Sequence, residues 1–194
     1  MYGKAAFAVS YKDDALVVDG VTIPVYAEKD PMQLPWKKLN VDVVVEATGA
    51  FASYEKAKVH LASGAKRVVV TAPVKDNPED AGVSGATVLM GVNQERLQTC
   101  DISSNASCTT NAGNPLIAIL DETVGIEKAV LSTVHGYTAS QSLVDGPSKK
   151  EFRDGRAAAQ NIIPSPTGAA IATTKALTQL KGKFDGVAIR VPVV

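Results

Sequence analysis

Short, almost continuously apolar runs alternate with polar, glycine-punctuated stretches along the chain. Val41 to Glu46 is such a run, and unbroken apolarity over that length predicts a parallel strand covered on both faces. It stops at Ala47-Thr48-Gly49-Ala50-Phe51, and glycine at a strand's carboxyl end permits close approach of a ligand. Ser53 caps a helix that Gly64 ends, and Val68-Val69-Val70-Thr71 is a second apolar strand leading to Ala72-Pro73. Strand, helix, strand of this kind is a right-handed βαβ unit. Upstream, Ala6 to Ser10, Leu16 to Val18 and Val21 to Tyr26 read as short strands, the last two joined by an Asp19-Gly20 hairpin. Pro31 and Pro35 punctuate the approach to the βαβ unit.

Beyond it, residues 74–86 are polar and Gly/Pro-rich, a surface loop, and Val88 to Val92 reads as another strand. A helix then includes Pro115 to Leu120 and stops at Gly125. Pro115 lies several residues inside it, which predicts a kink or a later true start. Ile126 to Val134 is a strand. Residues 136–163 have little periodicity, and a loop that long inside a domain is usually functional. An amphipathic helix spans Thr167 to Leu180, ended by Gly182, and Phe184 to Val191 is a final strand.

Composition narrows the function classes. The 194 residues carry 20 basic and 20 acidic side chains, so the formal charge is zero and nothing favours nucleic acid or an acidic membrane surface. No apolar run approaches the ~20 residues of a membrane span, and the start at Met1 lacks a secretory apolar region. Two cysteines, Cys100 and Cys108, are too few for a disulfide framework and suit a reducing cytosol. Cys100 reads as incidental, and no metal site is expected.

Cys108 is different. It sits in Ser104-Asn105-Ala106-Ser107-Cys108-Thr109-Thr110-Asn111, small polar side chains directly before the helical run. That places it at or near a helix N-terminus, where unpaired N–H groups and the helix dipole stabilise a thiolate. From this setting alone a nucleophile and a buried structural cysteine both remain open. The run Ala129-Val130-Leu131-Ser132-Thr133-Val134 ends in His135, at a strand end where α/β sites collect catalytic groups. The chain's other histidine, His60, lies in the helix-like stretch from Tyr54 to Ala62 and reads as a surface or packing residue.

These motifs, in order, carry a resemblance. Ser-Asn-Ala-Ser-Cys-Thr-Thr-Asn, Thr133-Val134-His135, Asp145-Gly146-Pro147, Ala159-Gln160-Asn161-Ile162-Ile163-Pro164 and Arg190-Val191-Pro192 are similar to phosphorylating glyceraldehyde-3-phosphate dehydrogenases along the whole length. The resemblance implies an α/β fold: the later part of a Rossmann-type dinucleotide-binding domain (1–107), then the first half of an α+β catalytic domain (108–194). Cys108 would be the nucleophile and His135 its base. Ser107, Thr109, Thr167 and Gly168 would hold one phosphate and Thr138 and Arg190 the other, with Arg156 as a further arginine nearby. Glu46, Thr48, Gly49 and Phe51 would lie near the adenosine and ribose side of NAD, with Thr71 and Ala72 close by. The implied partners are glyceraldehyde 3-phosphate and inorganic phosphate, in a cytoplasmic homotetramer. The 136–163 segment resembles the loop that packs against a neighbouring subunit's cofactor.

Departures also matter. Ala112 stands where family members often carry a second cysteine, and Ser140 replaces the usual threonine or aspartate two positions after Thr138. Gly146-Pro147 resembles NAD-using members, while NADP stays open. No Gly-x-Gly-x-x-Gly follows a strand, and the family continues past Val193-Val194. The chain is therefore expected to be an internal fragment, inactive on its own. Competing readings are an erythrose-4-phosphate dehydrogenase, a Cys–His hydrolase and a fragment that acts only by binding. Taken singly, Thr167-Gly168 is also a plain helix start, and Arg190 an ordinary solvated arginine.

Overall fold

The computed structural model describes residues 3–148 and 151–193; Met1, Tyr2, Lys149, Lys150 and Val194 lie outside the described residues. The chain opens with an antiparallel meander of β1 (Val9–Lys12), β2 (Ala15–Val18) and β3 (Val21–Pro24). Both of its turns use left-handed residue pairs, Asp13-Asp14 (φ 49 and 58) and Asp19-Gly20 (φ 46 and 82), as two-residue hairpins require. The Asp19-Gly20 hairpin stands where the pattern puts it. The strand expected at Ala6 to Ser10 instead runs Val9–Lys12, because Asp13-Asp14 makes a further turn that the Tyr11 hydroxyl braces by donating to Asp14 at 2.6 Å.

Next comes a parallel sheet of β4 (Val43–Glu46), β5 (Arg67–Val70), β6 (Gly85–Thr87) and β7 (Ile102–Ser104), in the order β4-β5-β7-β6. Helix α1 (Tyr54–Ala62) is the expected crossover between β4 and β5. Ser53 Oγ accepts from the Lys56 N–H, and the Asp76 carboxylate accepts from those of Tyr54 and Glu55, so the orphan donors of this helix start are satisfied. Tyr54, Ala57, Val68, Val70, Val74 and Ile102 form the core between helix and sheet.

One expectation fails here, and one strand goes unpredicted. The strand near residue 88 is Gly85–Thr87, not Val88 to Val92. At Gly85 a β-carbon would stand 2.6 Å from both the Tyr54 ring and Pro78, so only glycine lets the strand pass. Val88 to Val92 is a loop instead, held by Asn93, whose side chain accepts from the Leu89 N–H and donates to the Thr87 carbonyl. β7 lies at the sheet's interior yet was not anticipated, because its buried Ser103 and Ser104 do not look like a core strand. Ser104 can be buried because its hydroxyl donates to the Ala72 carbonyl at 2.8 Å.

The second half holds α2 (Cys108–Val124), β8 (Ala129–Gly136), β9 (Ile163–Ser165), α3 (Ala169–Ala176) and β10 (Phe184–Val191). β10 is central, parallel to β8 and antiparallel to β9. α2 starts at Cys108 in spite of Pro115, so the later start is not found. Pro115 and Asn111, whose carbonyl loses its helical partner, are both exposed, and water can serve that carbonyl. β8 runs two residues further than expected and contains His135. β9 carries no strand signal in the sequence because of Pro164, which an edge strand tolerates. α3 is shorter than the expected Thr167 to Leu180: Leu177 leaves helical geometry (φ −112, ψ 80), and Leu177 and Leu180 pack together against Ile117 and Ala118 of α2. Asn114 Nδ2 also donates to Thr173 Oγ1 at 3.0 Å, tying α2 to α3.

Candidate active site

Strand β7 leads directly to Cys108. Past Ser104 the Asn105 N–H donates to Val70 O, and Ala106 turns the chain with φ 55. Ser107 is the N-cap of α2, its Oγ accepting from the Thr110 N–H at 3.1 Å. Asn111 Nδ2 donates back to the carbonyls of Asn105 (2.7 Å) and Ser107 (2.9 Å) and locks the turn. Cys108 is therefore the first residue of a 17-residue helix, exposed, at the positive end of the dipole.

His135 reaches it from the carboxyl end of β8, with Cys108 Sγ 3.4 Å from His135 Nε2. Nδ1 lies 2.7 Å from the Gly136 carbonyl, so Nδ1 carries a proton and donates there, leaving Nε2 to face the thiol. The bond from His135 holds the Cys108 thiol below its ordinary range against the opposing effect of burial, with help from the Thr109 N–H. Reciprocally, the thiol and the Gly136 carbonyl raise His135, against burial and the Arg190 charge. Both shifts favour a thiolate–imidazolium pair. Cys100 behaves in the opposite way: it is buried, and burial raises its thiol.

A cleft of about 180 Å³ opens beside the pair, lined by Cys108, His135, Ser107, Thr109, Thr167, Gly168 and Arg190 together with Pro73, Pro166 and Ala188. Seven residues expected at the site thus meet in one cavity. Thr138 joins through Arg190, whose Nη1 donates to Thr138 Oγ1 at 3.3 Å and to the Gly136 carbonyl at 3.2 Å. Ser140 Oγ stands 3.0 Å from Thr138 Oγ1, so the departure at that position keeps a hydroxyl at hand. Arg156 is not brought in: it is exposed and its guanidinium pairs with Asp145 at 3.1 Å. Pro73, Pro166 and Ala188 are not among the expected residues; Pro73 and Pro166 follow strands β5 and β9, a sequence signal that could have found them, whereas Ala188 lies in the middle of β10 and carries none.

The other expected residues gather at the carboxyl ends of β4 and β5. Thr71 donates both its N–H and its hydroxyl to the Glu46 carbonyl, which ties the two ends together. Thr48, Gly49 and Thr71 are exposed and Phe51 half-buried. Gly49 has φ 76 and open space where a side chain would stand. Ala72 and Pro73 lead from this edge into the Cys108 cleft. Glu46 itself is buried, only 4% exposed, against His60, which is likewise 4% exposed, so the surface reading of His60 is wrong and the packing reading holds. The carboxyl of Glu46, which burial would raise, is held below its usual range by hydrogen bonds from Thr48 and His60.

Fold and site together define a two-part α/β protein, a parallel nucleotide-binding type of sheet joined to a unit in which an exposed cysteine meets a histidine beside a cleft lined by an arginine and hydroxyls. Comparison with known proteins gives the family. The model for the glyceraldehyde 3-phosphate dehydrogenase C-terminal domain matches residues 107–194, and that for the NAD binding domain of the same enzymes matches residues 1–54. Glyceraldehyde-3-phosphate dehydrogenase B of Aspergillus oryzae is 46% identical over 191 residues, covering 98% of this chain and 55% of the relative. The Eremothecium gossypii and Streptomyces coelicolor glyceraldehyde-3-phosphate dehydrogenases are each 48% identical over 193 residues. The chain belongs to the glyceraldehyde-3-phosphate dehydrogenase family. It spans about 55% of the length of these curated relatives.

Proposed function

We propose that the protein takes part in the phosphorylating oxidation of glyceraldehyde 3-phosphate with NAD, residues 1–107 serving the cofactor and 108–194 the chemistry. The observation that carries this is the Cys108–His135 pair in a cleft that also holds Arg190 and the hydroxyls of Ser107, Thr109 and Thr167. The Cys108 thiolate adds to the aldehyde carbonyl, and the imidazolium of His135 gives its Nε2 proton to the resulting alkoxide. Neutral His135 then stands ready to take that hydroxyl proton back. NAD, when bound, supplies the hydride acceptor that turns the thiohemiacetal on Cys108 into an acyl thioester. Inorganic phosphate attacks the thioester carbon, the carbon–sulfur bond breaks and the thiolate leaves. One phosphate is held by Ser107, Thr109, Thr167 and Gly168, the other by Arg190 and Thr138. Arg156 is left out of this scheme.

The residues present fit the cofactor. An edge of two exposed threonines, an open glycine and a half-buried phenyl ring suits a ribose and a base, at the strand ends where such ligands bind. Thr48, Gly49, Phe51, Thr71 and Ala72 would hold it, with Glu46 behind them. An exposed, thiolate-prone Cys108 suits the reducing cytosol. The apolar side chains Val130, Val134 and Val187, exposed on β8 and β10, suit burial in a homotetramer.

Protection of Cys108 and the phosphate dependence of turnover test the proposal. Glyceraldehyde 3-phosphate should slow its alkylation far more than glyceraldehyde does, and turnover of the enzyme should reduce NAD only when phosphate is present. Reduction without phosphate would favour the erythrose-4-phosphate type of reaction, and free acid without nicotinamide a hydrolase.

A further inference from the structure

His60 takes no part in the chemistry above, yet its surroundings are specific. Trp36 Nε1 lies 3.2 Å from His60 Nδ1. An indole N–H only donates, so Nδ1 is a bare acceptor and the ring proton sits on Nε2. Nε2 faces Glu46 Oε2 at 3.1 Å. The other carboxylate oxygen, Oε1, accepts from the Thr48 N–H at 2.8 Å and from the Thr48 hydroxyl, and Thr48 Oγ1 accepts in turn from the Ala50 N–H at 3.1 Å. The same imidazole meets the Phe51 ring edge-on, at a centroid distance of 5.7 Å. A carboxylate this deep is costly unless its oxygens find donors, and here both do.

The order of dependence follows. Trp36 sets the tautomer of His60, the tautomer supplies the donor to Glu46, and Glu46 holds the turn after β4. We infer that His60, oriented by Trp36, is a positioning residue for the cofactor edge: it fixes the Glu46 carboxylate that caps the Thr48–Ala50 turn and it props Phe51. The cofactor part of this inference rests on the proposed function; the positioning of the turn does not.

Hydrogen exchange on the full chain tests it, read at the Thr48 and Ala50 amides in wild type, His60→Leu, His60→Gln and Trp36→Phe. His60→Leu should speed exchange at Thr48 about five- to tenfold, the scale of one ordinary hydrogen bond lost. The side-chain amide in His60→Gln can still donate to Glu46 and should restore most of the protection, with Trp36→Phe between the two. Alkylation of Cys108 should be unchanged throughout, which shows that the catalytic half is intact. Unchanged Thr48 protection in His60→Leu, or no rescue by glutamine, overturns the inference. Should His60→Leu not fold, Trp36→Phe decides: protection equal to wild type overturns it. In an NAD-binding form, His60→Leu should weaken NAD about five- to tenfold while leaving kcat within about twofold. Protection that depends on His60 in a protein without affinity for NAD upholds the positioning role and refutes the cofactor reading.

Discussion

His135 and Arg190 occupy the same rung of the parallel ladder between β8 and β10, with Arg190 Nη1 3.2 Å from His135 Nδ1. One strand pairing thus sets the imidazole and the guanidinium side by side, and a slip of one residue would turn either away from the cleft. The contact itself joins two donors, since Nδ1 already gives its proton to the Gly136 carbonyl. The guanidinium is held instead by the acceptors Gly136 O and Thr138 Oγ1. Its charge opposes protonation of His135, but the thiol and the Gly136 carbonyl outweigh it.

That balance predicts that Cys108 is the reactive thiol. Alkylation at neutral pH should modify Cys108 at least about 10²-fold faster than Cys100, since reactivity follows thiolate fraction and access. Cys100 is buried and its thiol raised, whereas Cys108 is exposed and lowered. Peptide mapping after partial labelling is the check, and comparable labelling of both would defeat the assignment.

The pH profile of the same reaction has a definite sign. A thiol held below its ordinary range keeps its thiolate as pH falls below that range, and a raised imidazole keeps its charge over the same interval. Wild-type alkylation should therefore stay high through neutral pH and fall only on the acid side. In His135→Asn the profile should move alkaline and the neutral rate drop roughly tenfold or more, a tenfold change per pKa unit. Turnover in an active form should fall on the order of 10²-fold, the scale of a lost general base. An unmoved profile would remove His135 from the mechanism.

Arg190→Leu separates anion binding from chemistry. The variant should lose most of the advantage that glyceraldehyde 3-phosphate holds over glyceraldehyde in protecting Cys108, on the order of 10-fold to 10²-fold, as a charged hydrogen-bond partner is removed. Protection by the unphosphorylated aldehyde should persist. Equal loss with both aldehydes would point to damage to the β8–β10 ladder.

Much of this was legible in the sequence, for a physical reason. Cys108, His135 and Arg190 sit at or near element ends, where apolar runs stop, and periodicity marks those stops well. β6 and β7 were not legible, since strands of three residues carry no period, and Ser103 and Ser104 are buried by virtue of partners elsewhere in the chain. The end of α3 at Ala176 is set by packing of Leu177 and Leu180 on α2, which local propensity does not report. His60 reads only as a surface or packing residue for the same reason, and the choice between the two is made by partners distant in the chain. A histidine on a polar-looking helix reads as solvated until Trp36 and Glu46, 24 and 14 positions away, are brought against it.

Ser107 has a capping role and a proposed phosphate-holding role that one substitution can separate. Its hydroxyl caps α2 by accepting from the Thr110 N–H, lies 2.7 Å from Thr110 Oγ1, and also lines the cleft where a phosphate is proposed to sit. Ser107→Ala removes both roles, and should cost about 1 kcal/mol of stability as a lost cap. Ser107→Asp keeps a capping acceptor, since aspartate serves an N-cap as well as serine does, and its charge favours the helix dipole. That same charge repels phosphate. Urea denaturation should therefore place Ser107→Asp near wild type and Ser107→Ala below it. Protection of Cys108 by inorganic phosphate should rank them the other way, with Ser107→Ala weakened moderately and Ser107→Asp almost abolished. If both properties fell together in the two variants, Ser107 would be a cap alone, and the phosphate pocket would have to be built from Thr109, Thr167 and Gly168 without it.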